Sequence, residues 1–201
     1  MLKGYYRDDA FEAGCDEAGR GCLAGPVVAA AVILPYGYEN SLLKDSKKLS
    51  PPGRERLRIQ VENDAVALGI GVVSSHDIDR INILNASILA MHRALDRLPV
   101  TPRHIIADGN RFSSYKGIPH TCIVKGDALY MSIAAASILA KTYRDGLMRE
   151  LHLDFPVYGW DSNKGYPTVK HAAALREHGA CPHHRKSFRL KPVQTKIELM
   201  V

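Results

Sequence analysis

Cys15-Asp16-Glu17-Ala18-Gly19-Arg20-Gly21-Cys22 is the stretch around which the chain is organised. Phe11-Glu12-Ala13-Gly14-Cys15, just ahead of it, alternates and predicts a short strand with one apolar face. Two adjacent carboxylates at its end are costly, because neighbouring acids repel and successive strand residues point to opposite faces. Both can serve one site only if the strand ends or bends there. Gly19 and Gly21 supply that freedom, since glycine turns where a side chain would clash. Arg20 between them sets a fixed cation and two open backbone amides beside the acids. The combination suits a metal-dependent enzyme acting on phosphates. Taken alone, it also reads as a polar strand end with a flexible loop.

The 201 residues suffice for one large domain or two small ones, and 46% apolar with 24% charged residues is ordinary for a globular protein. No apolar run is long enough to span a bilayer, and the N-terminus lacks a signal-peptide pattern, so the expectation is a cytoplasmic protein with no membrane partner. Cysteines 15, 22, 122 and 181 form no CxxC pair, which predicts neither a zinc site nor a disulfide framework. A net charge of +6 favours a polyanionic partner. If the acids gather in one site, the surrounding surface is more basic still, as in a nuclease rather than a passive basic binder.

Beyond the glycine turn, Val27-Val28-Ala29-Ala30-Ala31-Val32-Ile33-Leu34 reads as a central strand buried on both faces. Asp45-Ser46-Lys47-Lys48-Leu49-Ser50 is a polar loop, and Ser50 with Pro51 and Pro52 opens a helix running to Val61. Residues 65–73 read as a third strand, an edge one because of Gly69 and Gly71, and short turns between the three strands suggest an antiparallel meander. Asp77 opens a long helix whose Ile81, Leu84, Ile88, Met91, Leu95 and Leu98 form one apolar stripe, taken as core.

The strand His104–Asp108 and the strand-glycine-acid run Thr121–Asp127 then repeat the order of the first motif. Asp127, by itself, reads first as a helix N-cap ahead of the helix 129–151. A helix between strands implies a right-handed crossover and a parallel pair. The tail carries Lys164-Gly165-Tyr166, a short helix over 169–178, and the basic Cys181–Phe188. One domain over 1–201 is the economical reading, with about 160–201 as a helical, basic lobe.

Asp16 and Asp108 sit at carboxyl ends of predicted strands, where open α/β sheets place ligands. Asp127 lies just beyond another, so Asp16, Glu17, Asp108 and Asp127 can converge. Four bare carboxylates would repel strongly, and Mg²⁺ or Mn²⁺ relieves that. Two ions roughly 3.5–4 Å apart would clamp a phosphodiester without any nucleophilic side chain.

These residues resemble bacterial ribonuclease HII. The resemblance is carried by Asp16-Glu17-Ala18-Gly19-Arg20-Gly21, Asp45-Ser46-Lys47-Lys48-Leu49-Ser50, Asp108-Gly109 and Lys125-Gly126-Asp127. Further matches are Ala134–Lys141, Lys164-Gly165-Tyr166 and His184-Arg185-Lys186-Ser187-Phe188. It runs from about residue 11 to residue 192, in the family's order. It implies a ribonuclease H-like α/β fold with a mixed five-stranded sheet flanked by helices. It also implies Mn²⁺- or Mg²⁺-dependent endonucleolytic cleavage of RNA paired with DNA, and of the 5′ side of single ribonucleotides in duplex DNA.

The partners so implied are RNA–DNA hybrids and ribonucleotide-containing DNA, with no obligate protein partner and a monomeric chain. The resemblance assigns the metal-binding acids to Asp16, Glu17, Asp108 and Asp127. Gly19, Arg20 and Gly21 would hold the nucleotide 5′ of the junction through its 2′-hydroxyl and phosphate. Tyr166 would stack on the deoxyribose just 3′ of the ribonucleotide. Lys47, Lys48, Lys164, Arg185 and Ser187 are further substrate contacts, and Asp145 a support at most. Ribonuclease HIII shares much of the pattern but carries an N-terminal extra domain, and with about ten residues ahead of the first strand that reading is disfavoured. A junction resolvase, a proofreading exonuclease or a silent hybrid-binding protein are the competing readings.

Overall fold

The structure is a computed structural model describing residues 2–7, 11–43 and 49–188. Five strands form one sheet: β1 (Glu12–Ala18), β2 (Val27–Ile33), β3 (Ala67–Val73), β4 (His104–Asp108) and β5 (His120–Ile123), in the order β3-β2-β1-β4-β5. β2 runs antiparallel to β1 and to β3, while β4 is parallel to both β1 and β5. This is the mixed sheet expected. β2 is buried along its whole length, its Val27, Ala29, Ala31 and Ile33 facing one helix layer and Ala30 and Val32 the other. The antiparallel trio is present, but β2 and β3 are joined through α1 (Pro51–Asp64) and not by a short turn. Ser50 caps α1, its hydroxyl accepting from the Gly53 amide at 3.4 Å.

β1 does not end at Cys15. It runs on to Ala18, because its backbone keeps pairing with β2 through Ala18 opposite Val28. The two acids therefore lie inside the last paired stretch of a strand, both within electrostatic reach of Asp108. β4 pairs in register, Cys15 beside Ala107, which sets Asp108 next to Asp16 at the carboxyl ends of adjacent parallel strands.

α2 (Ser75–Leu95) covers one face of the sheet, with Ser74 as its cap. Its predicted stripe is only partly the core: Met91 and Leu95 are buried, but Ile81, Leu84, Ile88 and Leu98 are half-covered. The deepest positions are Ala86, Ala90 and Ala94. Two features shift the face. Asn82 leaves the helical conformation (φ 65, ψ 165), and its Oδ1 accepts from the amides of Leu84 and Asn85, so a second helical segment starts there in a new phase. Gly69 and Gly71 in β3 then let that segment settle: a Cβ on Gly71 would stand 2.0 Å from the Ala90 carbonyl oxygen. They mark close approach as much as a sheet edge.

α3 (Met131–Asp154) covers the other face with α1, laying Ala134, Ala135 and Ala136 against the sheet. Beyond it come α4 (Trp160–Asn163) and α5 (Val169–His178), gathered on a separate cluster of Ala24, Met148, Tyr158 and Trp160. Among the described residues no helix is long and apolar enough to cross a membrane.

Candidate active site

Asp16 is buried, and one carboxylate oxygen accepts from the Glu17 amide at 2.7 Å. Burial, then the Glu17 charge, push its carboxyl well above the usual range, and Asp108 adds to this; Ser137 on α3 offsets part by a hydrogen bond. Glu17 is also raised, by burial first and by Asp108, against the opposing pull of Arg20. Arg20 Nη1 donates to Glu17 Oε1 at 2.9 Å, while Glu17 Oε2 is buried with no hydrogen-bond partner among the described residues. Asp108 accepts from the Gly126 amide at 2.6 Å, which draws the Gly126–Ala128 turn, and with it Asp127, toward the end of β4.

Mutually repelling acids, two of them held above their ordinary range, and an orphaned buried carboxylate oxygen form a donor set suited to a hard divalent cation. Among the described residues no three carboxylate, thiol or imidazole groups stand close enough together to chelate an ion as they are.

The Gly-Arg-Gly turn, Glu17, Arg54, Lys141 and Tyr166 line one groove of about 420 Å³. Arg20 and Gly21 are exposed, and among the described residues nothing accepts from their amides. The two glycines differ. Gly19 has φ +97, and a Cβ there would fall 2.0 Å from Arg144 Nε; at Gly21 a Cβ would meet nothing within 4 Å. The protein itself needs only the first, so the bare position at 21 leaves room in the groove. Gly19→Ala should cost about 2–4 kcal/mol of stability, whereas Gly21→Ala should melt within about 2 °C of the parent. Thermal melts followed by circular dichroism check the pair.

Tyr166 is 40% exposed, with Lys141 Nζ 5.7 Å from its ring centroid. Asp145 forms an ion pair with Lys141 at 2.6 Å, one helical turn along α3, and so holds that lysine. Sequence reasoning passed over Arg54, Lys141 and Ser137 as site residues. Only Lys141 and Ser137 fell within a motif that had been singled out.

Three residues expected as substrate contacts are absent from the lining of this groove. Arg185 is buried, its guanidinium donating to the carbonyls of Gly25, Arg20 and Pro26, so it braces the glycine turn from behind. The Lys164 ammonium turns onto the Asp161 carbonyl, away from the groove lining. Ser187 is taken by Asp79, hydroxyl to Oδ1 at 2.6 Å. In each case a local acceptor satisfies the donor. Lys47 and Lys48 lie outside the described residues.

A family profile described as Ribonuclease HII matches residues 13–191. A curated ribonuclease HII of Phocaeicola vulgatus is 59% identical over 199 residues, covering 99% of either chain. That of Porphyromonas gingivalis is 59% identical over 189 residues, 94% of each. Among solved structures, the ribonuclease H2 of Pyrococcus horikoshii superposes with a TM-score of 0.73 at 26% identity, over 88% of this chain and 93% of the other.

Proposed function

The chain belongs to the bacterial ribonuclease HII family, endoribonucleases acting on RNA paired with DNA, and on that premise we propose that it also cuts 5′ of a single ribonucleotide embedded in duplex DNA. The products are a 5′-phosphate and a 3′-hydroxyl, which suits ribonucleotide removal during DNA replication and repair. The observation that carries the reading is that Glu17, Arg20, Gly21 and Tyr166 line the same groove, beside Asp16 and Asp108.

Asp16, Glu17, Asp108 and Asp127 would hold two divalent cations, Mg²⁺ or Mn²⁺. When bound, these supply Lewis-acid activation of the attacking water and stabilisation of the leaving 3′-oxygen. The chain's own part is positioning. Arg20, paired with Glu17 at the groove, would present its guanidinium to the phosphate. The amides of Arg20 and Gly21 face the sugar and phosphate, and a 2′-hydroxyl is what separates RNA from DNA at one nucleotide. The Tyr166 ring packs on the next sugar, where a further hydroxyl would be crowded. Because a Cβ at Gly21 would meet no protein atom within 4 Å, Gly21→Ala obstructs substrate alone.

The test is cleavage of a duplex carrying one ribonucleotide in Mg²⁺, Mn²⁺ or EDTA, against an all-DNA duplex. A metal-dependent cut on the 5′ side of the ribonucleotide is expected, with the all-DNA duplex intact. Cutting of long hybrids only would sink the junction reading. Binding without any cut would favour a passive hybrid-binding protein.

A further inference from the structure

Beneath the groove, a chain of buried hydrogen bonds ends on Tyr166. The Tyr166 amide donates to the Asn163 carbonyl at 2.9 Å, and its own carbonyl accepts from the Thr168 amide at 2.8 Å and from His171 Nδ1 at 2.9 Å. His171 is fully buried in the first turn of α5. The Trp160 indole N–H, which can only donate, points at His171 Nε2 at 3.1 Å. Nε2 is therefore the acceptor, the ring proton sits on Nδ1, and Nδ1–H donates to Tyr166. His184 follows the same logic. The Cys181 amide donates to its Nδ1 at 3.1 Å, so its proton sits on Nε2, 3.1 Å from His171 Nε2. His171 Nε2 has one lone pair, which the Trp160 N–H occupies, so the His184 contact on the same nitrogen adds little. Burial lowers the pKa of both imidazoles, His184 to about 4, which keeps these neutral tautomers in place at neutral pH.

We propose that His171 is a positioning residue for substrate selection: its Nδ1–H, oriented by Trp160, fixes the Tyr166 backbone and so the ring that discriminates against a 2′-hydroxyl on the sugar 3′ of the ribonucleotide. This rests on the reading of Tyr166 given above. The side chain has the Lys141 ammonium over its ring, open groove beside it and a hydrogen bond between its hydroxyl and the Cys22 thiol, so its position depends on that contact and on how its main chain is held. A role confined to packing the lobe makes a different forecast, since Phe would fill the space of His171 better than Asn would.

The experiment measures the ratio of cleavage rates on a single-ribonucleotide duplex and on a long RNA–DNA hybrid. That ratio does not depend on the fraction of protein folded. Tyr166→Ala and His171→Phe should each lower it about tenfold. His171→Asn, whose amide nitrogen can replace Nδ1 as donor, should stay within about threefold of the parent. An unchanged ratio in His171→Phe, with a fall in Tyr166→Ala, overturns the inference and leaves the Tyr166 reading standing. An unchanged ratio in Tyr166→Ala removes both. Should His171→Phe fail to fold, Trp160→Phe, which deletes the orienting donor along with part of the buried indole, decides in its place: a lowered ratio supports the inference and an unchanged one overturns it.

Discussion

Asp16→Asn is expected to lower turnover by about a thousandfold or more while making the metal-free protein more stable. Both effects follow from one fact: burial and the Glu17 and Asp108 charges hold the Asp16 carboxyl well above its ordinary range. A carboxyl raised in this way stabilises the fold at pH below its unfolded pKa of about 4, and that contribution is lost as pH rises through the raised native value. At neutral pH without a cation, the Asp16 carboxyl is thus a net burden on the fold relative to the unfolded chain, and Asn imitates its protonated form. In EDTA the variant should melt higher than the parent, each kcal/mol relieved being worth about 2–4 °C for a chain of this size. Adding Mn²⁺ should raise the parent's melting temperature more than the variant's. Asp108→Asn should behave alike in activity, with hybrid binding largely kept. Near-normal turnover in either variant, or an Asp16→Asn protein that melts below the parent in EDTA, would refute the assignment of these acids to a metal site.

That the acids were legible in the sequence, and much of their surroundings were not, has a physical origin. Asp16, Asp108 and Asp127 each follow a short apolar run and precede glycine or a turn, a local signal that strand ends leave in any sequence. Ser50 as a cap and the helix over 169–178 were legible for the same reason, and the structure gives α5 those bounds. The phase of α2 was not. It depends on Asn82 restarting the helix and on glycines in a different element admitting its backbone. Arg54 and Lys141 face the groove only because α1 and α3 lie side by side, which no short-range pattern records. Arg185 and Lys164 read from sequence as plausible phosphate contacts, or equally as ordinary basic loop residues. Their carbonyl acceptors at Gly25, Pro26 and Asp161 are backbone groups, and backbone acceptors leave no mark in composition.

Arg144, the least legible of these residues, carries the second large effect. Arg144→Met should cost about 3–5 kcal/mol of stability, a large share of what a domain possesses. Arg144 is fully buried on α3, where its Nε donates to the Pro26 carbonyl at 2.8 Å, Nη1 to Lys164 at 2.9 Å and Nη2 to Ala24 at 3.1 Å. One planar guanidinium thus joins the entry of β2 to the loop that carries Tyr166, and passes directly behind Gly19. Removing it strands three acceptors, each worth about 1–3 kcal/mol when left dry, with some recovery through relaxation. Arg144→Lys should not rescue the loss, because a single ammonium cannot span three carbonyls arranged for a fork. Substrate affinity should suffer before the chemical step does, since both groove walls hang on this residue while the acids are anchored by the sheet itself. Urea unfolding and steady-state kinetics on a hybrid separate the two: a raised KM with kcat kept within about threefold is the expected result, and an Arg144→Met protein as stable as the parent would show that the clamp holds nothing.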